Sequence, residues 1–218
     1  MSKFSRVPAV YFILGTGNAG GKDPLAVLEA ALKAGIDYFQ LREKGPNALE
    51  GAELLKFALD CKELCRRYET PFLINDDLEL ARAIDADGLH IGQDDAPASM
   101  VRKILGAEKL LGVSVHSLAE AKHAVESGAD YVGMGPVFQT STKADAKAPA
   151  GVAGIQQVKD AYPKLPIVGI GGIGSENAES VWKAGAAGVA VISAIAYAED
   201  VAAEVTALRA SALDGVAK

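Results

Sequence analysis

The stretch Ala34-Gly35-Ile36-Asp37-Tyr38-Phe39 returns as Ser127-Gly128-Ala129-Asp130-Tyr131-Val132 and as Ala184-Gly185-Ala186-Ala187-Gly188-Val189, with an echo in Asp85-Ala86-Asp87-Gly88-Leu89. Each copy reads as a helix stopping on a small or glycine residue, then a tight turn into a buried strand. One helix-to-strand joint used several times is what a chain of repeated units leaves in its sequence. Outward from these joints, short apolar or β-branched runs alternate with longer amphipathic segments. The runs are Val10–Leu14, Tyr38–Leu41, Phe72–Ile74, Gly88–His90, Leu111–Ser114, Tyr131–Met134, Ile167–Ile170 and Gly188–Ile192. Strands separated by helices predict a parallel sheet, and eight is the number that closes a barrel. The expected fold class is α/β, a single (β/α)8 TIM barrel over residues 1–218, with the Ala-rich tail after Tyr197 as its last helix. A doubly wound open sheet alternates in the same way and stays as the alternative at this point.

Size and composition fit that expectation. The 218 residues are half hydrophobic and 23% charged, with a formal net charge of −6. That balance carries no basic footprint for nucleic acid and is too mild for an acidic disordered chain. No apolar run reaches the roughly 18 residues that span a bilayer, and Met1 to Pro8 has no signal-peptide core. The expectation is a cytoplasmic protein without nucleic-acid or membrane partners; the sequence leaves a homo-oligomer open. The only cysteines, Cys61 and Cys65, stand four apart in a helical pattern and read as small buried thiols rather than metal or redox ligands.

Two motifs fail on their context. Gly15-Thr16-Gly17-Asn18-Ala19-Gly20 spells a dinucleotide fingerprint, but its third glycine would have to lie inside the opening helix. Here Asp23-Pro24 follows, and these read as the N-cap and first helical residue, which leaves the glycines in a loop. Gly21-Lys22 also fails as a P-loop, because Thr16 stands where the first glycine belongs and Asp23 replaces the magnesium-binding hydroxyl.

In a barrel, chemistry gathers at the C-terminal strand ends and the loops after them. After the second strand comes Gln40-Leu41-Arg42-Glu43-Lys44, where extended backbone turns Gln40, Arg42 and Lys44 to one side. An amide and two cations suit an oligophosphate; a solvated charge run is the competing reading. Asn75-Asp76-Asp77 and His90-Ile91-Gly92-Gln93-Asp94-Asp95 follow the third and fourth strands. Acidic turns often cap helices, but two on adjacent strand ends bring carboxylates together for a hard cation such as Mg²⁺. His90 also reads as a structural histidine. Ser114 offers a hydroxyl at the fifth strand end, and His116 reads as a cap or a proton carrier. Thr140, Ser141, Thr142 and Lys143 offer an anion several donors. Gly171-Gly172 after the seventh strand, with Ile192-Ser193 after the eighth, match the place where many barrels hold phosphate.

Seven ordered motifs, namely Gln40–Lys44, Ile74–Asp77, His90–Asp95, Gly112–His116, Gly135–Lys143, Gly169–Ile173 and Val191–Ser193, resemble those of the thiamine-phosphate synthases. The resemblance covers about Val10 to Ser193. It implies a transferase that joins hydroxymethylpyrimidine diphosphate to hydroxyethylthiazole phosphate, or its carboxy form, and releases pyrophosphate. It further implies that Gln40, Arg42, Lys44, Asn75 and Lys143 contact the pyrimidine diphosphate, with Ser114 on its pyrophosphate and His90 within the substrate site. Lys44, Ser114 and Lys143 would be the catalytic groups. Asp76 and Asp95 would hold Mg²⁺, while Thr140, Ser141, Thr142, Gly172, Ile192 and Ser193 would receive the thiazole phosphate. One departure stands out: family members commonly carry an acidic residue just after the first strand, where this chain has Gly15 and a glycine loop. Two other readings remain. One is the related thiazole tautomerase, which uses a histidine near position 116 and has less need of a diphosphate clamp. The other is a non-catalytic barrel that binds phosphorylated metabolites.

Overall fold

The computed structural model describes residues 3–140 and 148–216, with side chains to 212. Eight parallel strands close on themselves in sequence order, β1 pairing with β8. They are β1 Ala9–Leu14, β2 Tyr38–Leu41, β3 Phe72–Asn75, β4 Gly88–Ile91, β5 Leu110–Val115, β6 Tyr131–Met134, β7 Ile167–Ile170 and β8 Gly188–Val191. The helices are α1 Pro24–Lys33, α2 Gly51–Arg67, α3 Leu78–Ala83, α4 Ala98–Leu105, α5 Leu118–Glu126, α6 Ala153–Ala161, α7 Ala178–Lys183, the short α8 Ser193–Ala196, and α9 Val201–Val216. The closed barrel excludes the open sheet, and each strand lies within a residue of its expected position. The declined glycine motif is a loop: its middle forms a single 3-10 turn at Thr16–Asn18, and Asp23 caps α1 through Leu25 N–H ahead of Pro24.

The recurring joint has a physical form. In α1 the Ile36 N–H reaches Ala31 C=O and the Gly35 N–H reaches Leu32 C=O, with Gly35 at a φ of 85°. This is a Schellman ending, which satisfies carbonyls that a helix end leaves orphaned. The same pair of bonds ends α3 at Asp85-Ala86, α5 at Gly128-Ala129 and α7 at Gly185-Ala186. The aspartate after three of these endings then acts as a clamp. Asp37 accepts from Val10 N–H at 2.8 Å, Asp87 from Phe72 N–H at 2.9 Å, and Asp130 from Leu111 N–H at 2.8 Å. Each therefore ties the start of an even strand to the odd strand before it. The fourth copy has Ala187 in this place and lacks the clamp.

Strand alternation divides the core into two. Outward-facing residues such as Phe12, Phe39, Phe72, Leu89 and Val132 pack under the helices. Inward-facing Tyr11, Ile13, Tyr38, Leu73, Leu110, Tyr131 and Val168 fill the barrel, and Phe4 plugs its base by stacking on Tyr38 at 4.3 Å. Cys61 and Cys65 are buried and free, and desolvation pushes both thiols up, so they pack as apolar groups as expected. The tail helix α9 seals the ring: Arg209 donates to Asp37 and to Gly35 C=O, and Ser211 accepts from the Trp182 indole.

A fifth Schellman ending closes α2. There Thr70 N–H reaches Cys65 C=O and Glu69 N–H reaches Arg66 C=O, with Glu69 at a φ of 52°. A glutamate held in the left-handed region carries a Cβ penalty that glycine avoids. Glu69→Gly is expected to raise stability by about 1 kcal/mol, read as a rise of about 2–4 °C in the thermal midpoint. An unchanged or lower midpoint would count against a strained turn.

Candidate active site

The barrel mouth opens into one cavity whose walls are the C-terminal strand ends. Gln40, Arg42, Asn75, His90, Ser114, Thr140, Gly172, Ile192 and Ser193 all line it, so nine of the expected site residues meet in one place. Ile13, His116, Gly133 and Ile170 line it as well. Ser141, Thr142 and Lys143 lie outside the described residues. Lys44, Asp76 and Asp95 gather at the rim instead of the wall. β2 ends at Leu41, and both Arg42 and Lys44 follow it: Arg42 lines the cavity wall, while the Lys44 Nζ is ion-paired with the Asp76 carboxylate.

Local backbone geometry sets the acidic pair. Asp76 turns at the tip of β3 with a φ of 62°, its N–H held by His90 C=O at 2.8 Å. This left-handed residue is the point at which the chain leaves the sheet and swings a carboxylate to the rim. Asp77, its neighbour, is a helix cap that accepts from Leu80 N–H at 2.9 Å. Asp95 accepts from Gly92 N–H at 2.7 Å and meets the Asp76 carboxylate. Partial desolvation, then the contact with Asp76, hold the Asp95 carboxyl above the usual carboxylate range. Two carboxylates in contact with one lysine nearby are short of positive charge, and a divalent cation would supply it. Among the described residues no group of three or more His, Cys, Asp or Glu side chains is arranged for a metal. Two carboxylates suit an ion that keeps water and phosphate oxygens in its remaining positions.

On the opposite side, Gly171 and Gly172 adopt φ values of 96° and 65°. A Cβ on Gly172 would sit 2.4 Å from Gln139 C=O, so only glycine lets this turn close against the loop after β6. Ser193 opens α8 beside it.

Three supporting features were not legible in the sequence. Glu43, inside the expected Gln40–Lys44 motif, faces away and accepts from Thr16 N–H, the Thr16 hydroxyl and Leu49 N–H. It thereby fastens the glycine loop to the end of β2. Gly15 is needed there, since a Cβ would lie 2.2 Å from Arg42 C=O. His116 bonds to Glu120 at 2.9 Å while lining the cavity, and Ser117 is the residue that caps α5. The third feature is a pair of buried tyrosines, Tyr11 and Tyr131, hydrogen-bonded beneath Gln40 and His90.

Comparison with known proteins adds to this geometry. A family model described as thiamine monophosphate synthase matches residues 10–195. The chain belongs to this family. A thiamine-phosphate synthase of Lysinibacillus sphaericus is 51% identical over 192 residues, covering 88% of this chain and 90% of the relative. One of Bacillus mycoides is 51% identical over 159 residues, covering 73% and 72%. Among solved structures, a thiamine phosphate pyrophosphorylase from Pyrococcus furiosus superposes with a TM-score of 0.84 at 33% identity, covering 96% of this chain and 97% of the other. A 3-hexulose-6-phosphate synthase, at 18% identity and a TM-score of 0.67, shares the fold alone. Membership of the family makes the chain a transferase.

The acidic pair gives a testable sign. The raised folded-state value of Asp95 means that ionising it opposes folding as pH rises through the elevated range, whereas cation binding needs the carboxylates ionised. Magnesium chloride is expected to raise the thermal midpoint at neutral pH, and this gain should fade as pH falls through the carboxylate range. Asp95→Asn is expected to keep the metal-free midpoint while losing the magnesium-induced rise. A gain that survives the substitution would place the cation elsewhere.

Proposed function

We propose that the chain condenses hydroxymethylpyrimidine diphosphate with hydroxyethylthiazole phosphate, giving thiamine phosphate and pyrophosphate, with Mg²⁺ as its cofactor. The observation that carries this reading is one cavity with an acidic pair and a lysine on its rim, an arginine on its wall, and a glycine turn across from them.

The reaction breaks the bond between the pyrimidine methylene carbon and the diphosphate oxygen, and forms one from that carbon to the thiazole nitrogen. The ring stabilises the cation left at the methylene, and the attacking nitrogen carries no proton. No strong side-chain base is needed, and the protein's work is orientation and charge. Arg42 on the wall and Lys44 at the rim would bear on the leaving diphosphate, with Asn75 and Ser114 as neutral donors. Lys143 is proposed to join them. Asp76 and Asp95 would hold the ion, which when bound neutralises charge on the departing pyrophosphate. Gln40 and His90 would orient the pyrimidine. Gly172, Ile192, Ser193 and Thr140, with Ser141 and Thr142, would hold the thiazole phosphate on the far side. The apolar residues Ile13 and Ile170 line the space between, where water must be kept from the cation.

The direct assay supplies both substrates with Mg²⁺ and looks for thiamine phosphate. Isomerisation of the thiazole without metal would move the assignment to a tautomerase centred on His116. Binding of both ligands without turnover would make the barrel a sensor. Asp76→Ala is expected to cut turnover by about 10²–10³-fold, the scale of losing one electrostatic stabiliser, while thiazole-phosphate affinity changes little. Equal loss of both would show that Asp76 acts only through the fold.

A further inference from the structure

The floor of the cavity is a line of hydrogen bonds that joins Gln40, His90 and Ser114 through two buried tyrosines to which the proposed reaction gives no role. Gln40 Nε2 donates to the Tyr11 hydroxyl at 2.8 Å, and that hydroxyl lies 2.9 Å from the Tyr131 hydroxyl. Tyr131 lies 3.0 Å from His90 Nδ1, and His90 Nε2 lies 2.9 Å from Ser114 Oγ. The five residues come from β2, β1, β6, β4 and β5, so the line crosses the whole barrel. Its two ends, Gln40 and Ser114, line the cavity together with His90; the two tyrosines do not. Both phenols are buried, which pushes them well above their usual range and keeps them neutral. Glycine makes room for the line: a Cβ on Gly112 would stand 2.4 Å from the Tyr131 hydroxyl and 2.5 Å from His90 Nδ1.

Proton counting gives the line a direction. A phenol has one hydrogen to donate, and an amide NH₂ only donates. With Gln40 donating to Tyr11, the Tyr11 hydrogen goes to Tyr131, and the Tyr131 hydrogen goes to His90 Nδ1. That nitrogen is then bare, so Nε2 carries the ring hydrogen and donates to Ser114 Oγ. The Ser114 hydrogen is left over from the line at a residue that lines the cavity, and Gln40 Oε1 is the amide atom that the line leaves unused at the other end. The opposite sense would aim a serine lone pair at whatever anion the cavity holds.

We propose that Tyr11 and Tyr131 are positioning residues: their one-way relay sets Gln40 as an acceptor and Ser114 as a donor toward the cavity. The two ends thereby suit a pyrimidine N–H and an anionic diphosphate of one substrate. This rests on the diphosphate reading of the cavity. Buried networks of this kind act as a unit, because each bond fixes the sense of the next.

The test begins with the tautomer of His90 in the ¹⁵N-labelled full chain, assigned by comparison with His90→Gln. The expected spectrum has a bare Nδ1 and a protonated Nε2. Tyr131→Phe keeps the ring contacts with Phe4 and removes only the hydroxyl; it is expected to abolish this preference. It should also lower kcat/KM for the pyrimidine diphosphate by about 10–100-fold, the usual scale for a group that orients a ligand-contacting residue, and leave KM for the thiazole phosphate near its original value. Tyr11→Phe should cost a similar factor, and the double variant little more than the worse single one. A wild-type His90 protonated on Nδ1 would overturn the proposal, as would a Tyr131→Phe protein with both tautomer and kcat/KM unaltered. If the unsubstituted chain makes no thiamine phosphate, the reaction assignment fails by itself. The tautomer, and the affinity of wild type against Tyr131→Phe for inorganic pyrophosphate, then decide the relay.

Discussion

The structure depends on one backbone constraint: a parallel strand can be satisfied on both edges without an open end only if the sheet closes. Closure of β1 on β8 pairs every strand on both sides, and the common direction of the parallel strands sends all eight C-terminal ends to the same rim. A residue placed just after any strand therefore meets residues placed just after the others, however far apart they are in sequence. Gln40, His90, Ser114 and Ser193 share one cavity for that reason. The N-terminal ends carry a different set of polar groups. There Asp37, Asp87 and Asp130 clamp strand starts, and Arg209 and Arg102 pair with two of them. The strand-start clamps and the cavity thus occupy opposite faces of one barrel.

Between those faces the barrel interior changes character by layers. Phe4, Tyr38 and Leu110 make the base apolar, and the tyrosine hydroxyls of Tyr11 and Tyr131 begin a polar layer directly beneath the cavity. Burying such groups costs free energy unless each finds a partner. Among the described residues no buried side-chain nitrogen or oxygen lacks one. A satisfied layer of this kind holds its side chains in single orientations. The glycines at 112 and 133 belong to the same design, since side chains there would displace the His90 ring or its tyrosine partner.

At the rim the balance is electrostatic. Asp76 and Asp95 meet with Lys44 close by, and the left-handed backbone at Asp76 holds this arrangement against its own strain. Such strain persists only where the surrounding structure fixes the position, here through the bond from Asp76 N–H to His90 C=O. Glu43 contributes from outside: by fastening the Thr16 loop to the end of β2, it fixes the segment from which Arg42 reaches the cavity and Lys44 reaches the rim.

The sequence by itself determined the alternation of strands and helices, because period and joint are local properties: strand runs and Schellman endings are written in residues that are neighbours in the chain, whereas closure of β1 on β8 joins residues far apart in it. It also placed most of the cavity, since strand ends are local too, and the barrel rule converts a strand end into a rim position. What sequence pattern lost were the contacts between strands. Strand alternation says nothing of the partner that Lys44 takes, the Asp76 carboxylate in the turn after β3. Tyr11 and Tyr131 stand in the sequence only as members of two strand runs, because nothing nearby in the chain shows that 120 positions of separation close to a 2.9 Å hydrogen bond. Only tertiary structure decides such pairings, for the physical reason that a hydrogen bond depends on distance and direction in space, while periodicity reports only which side of a strand a residue occupies.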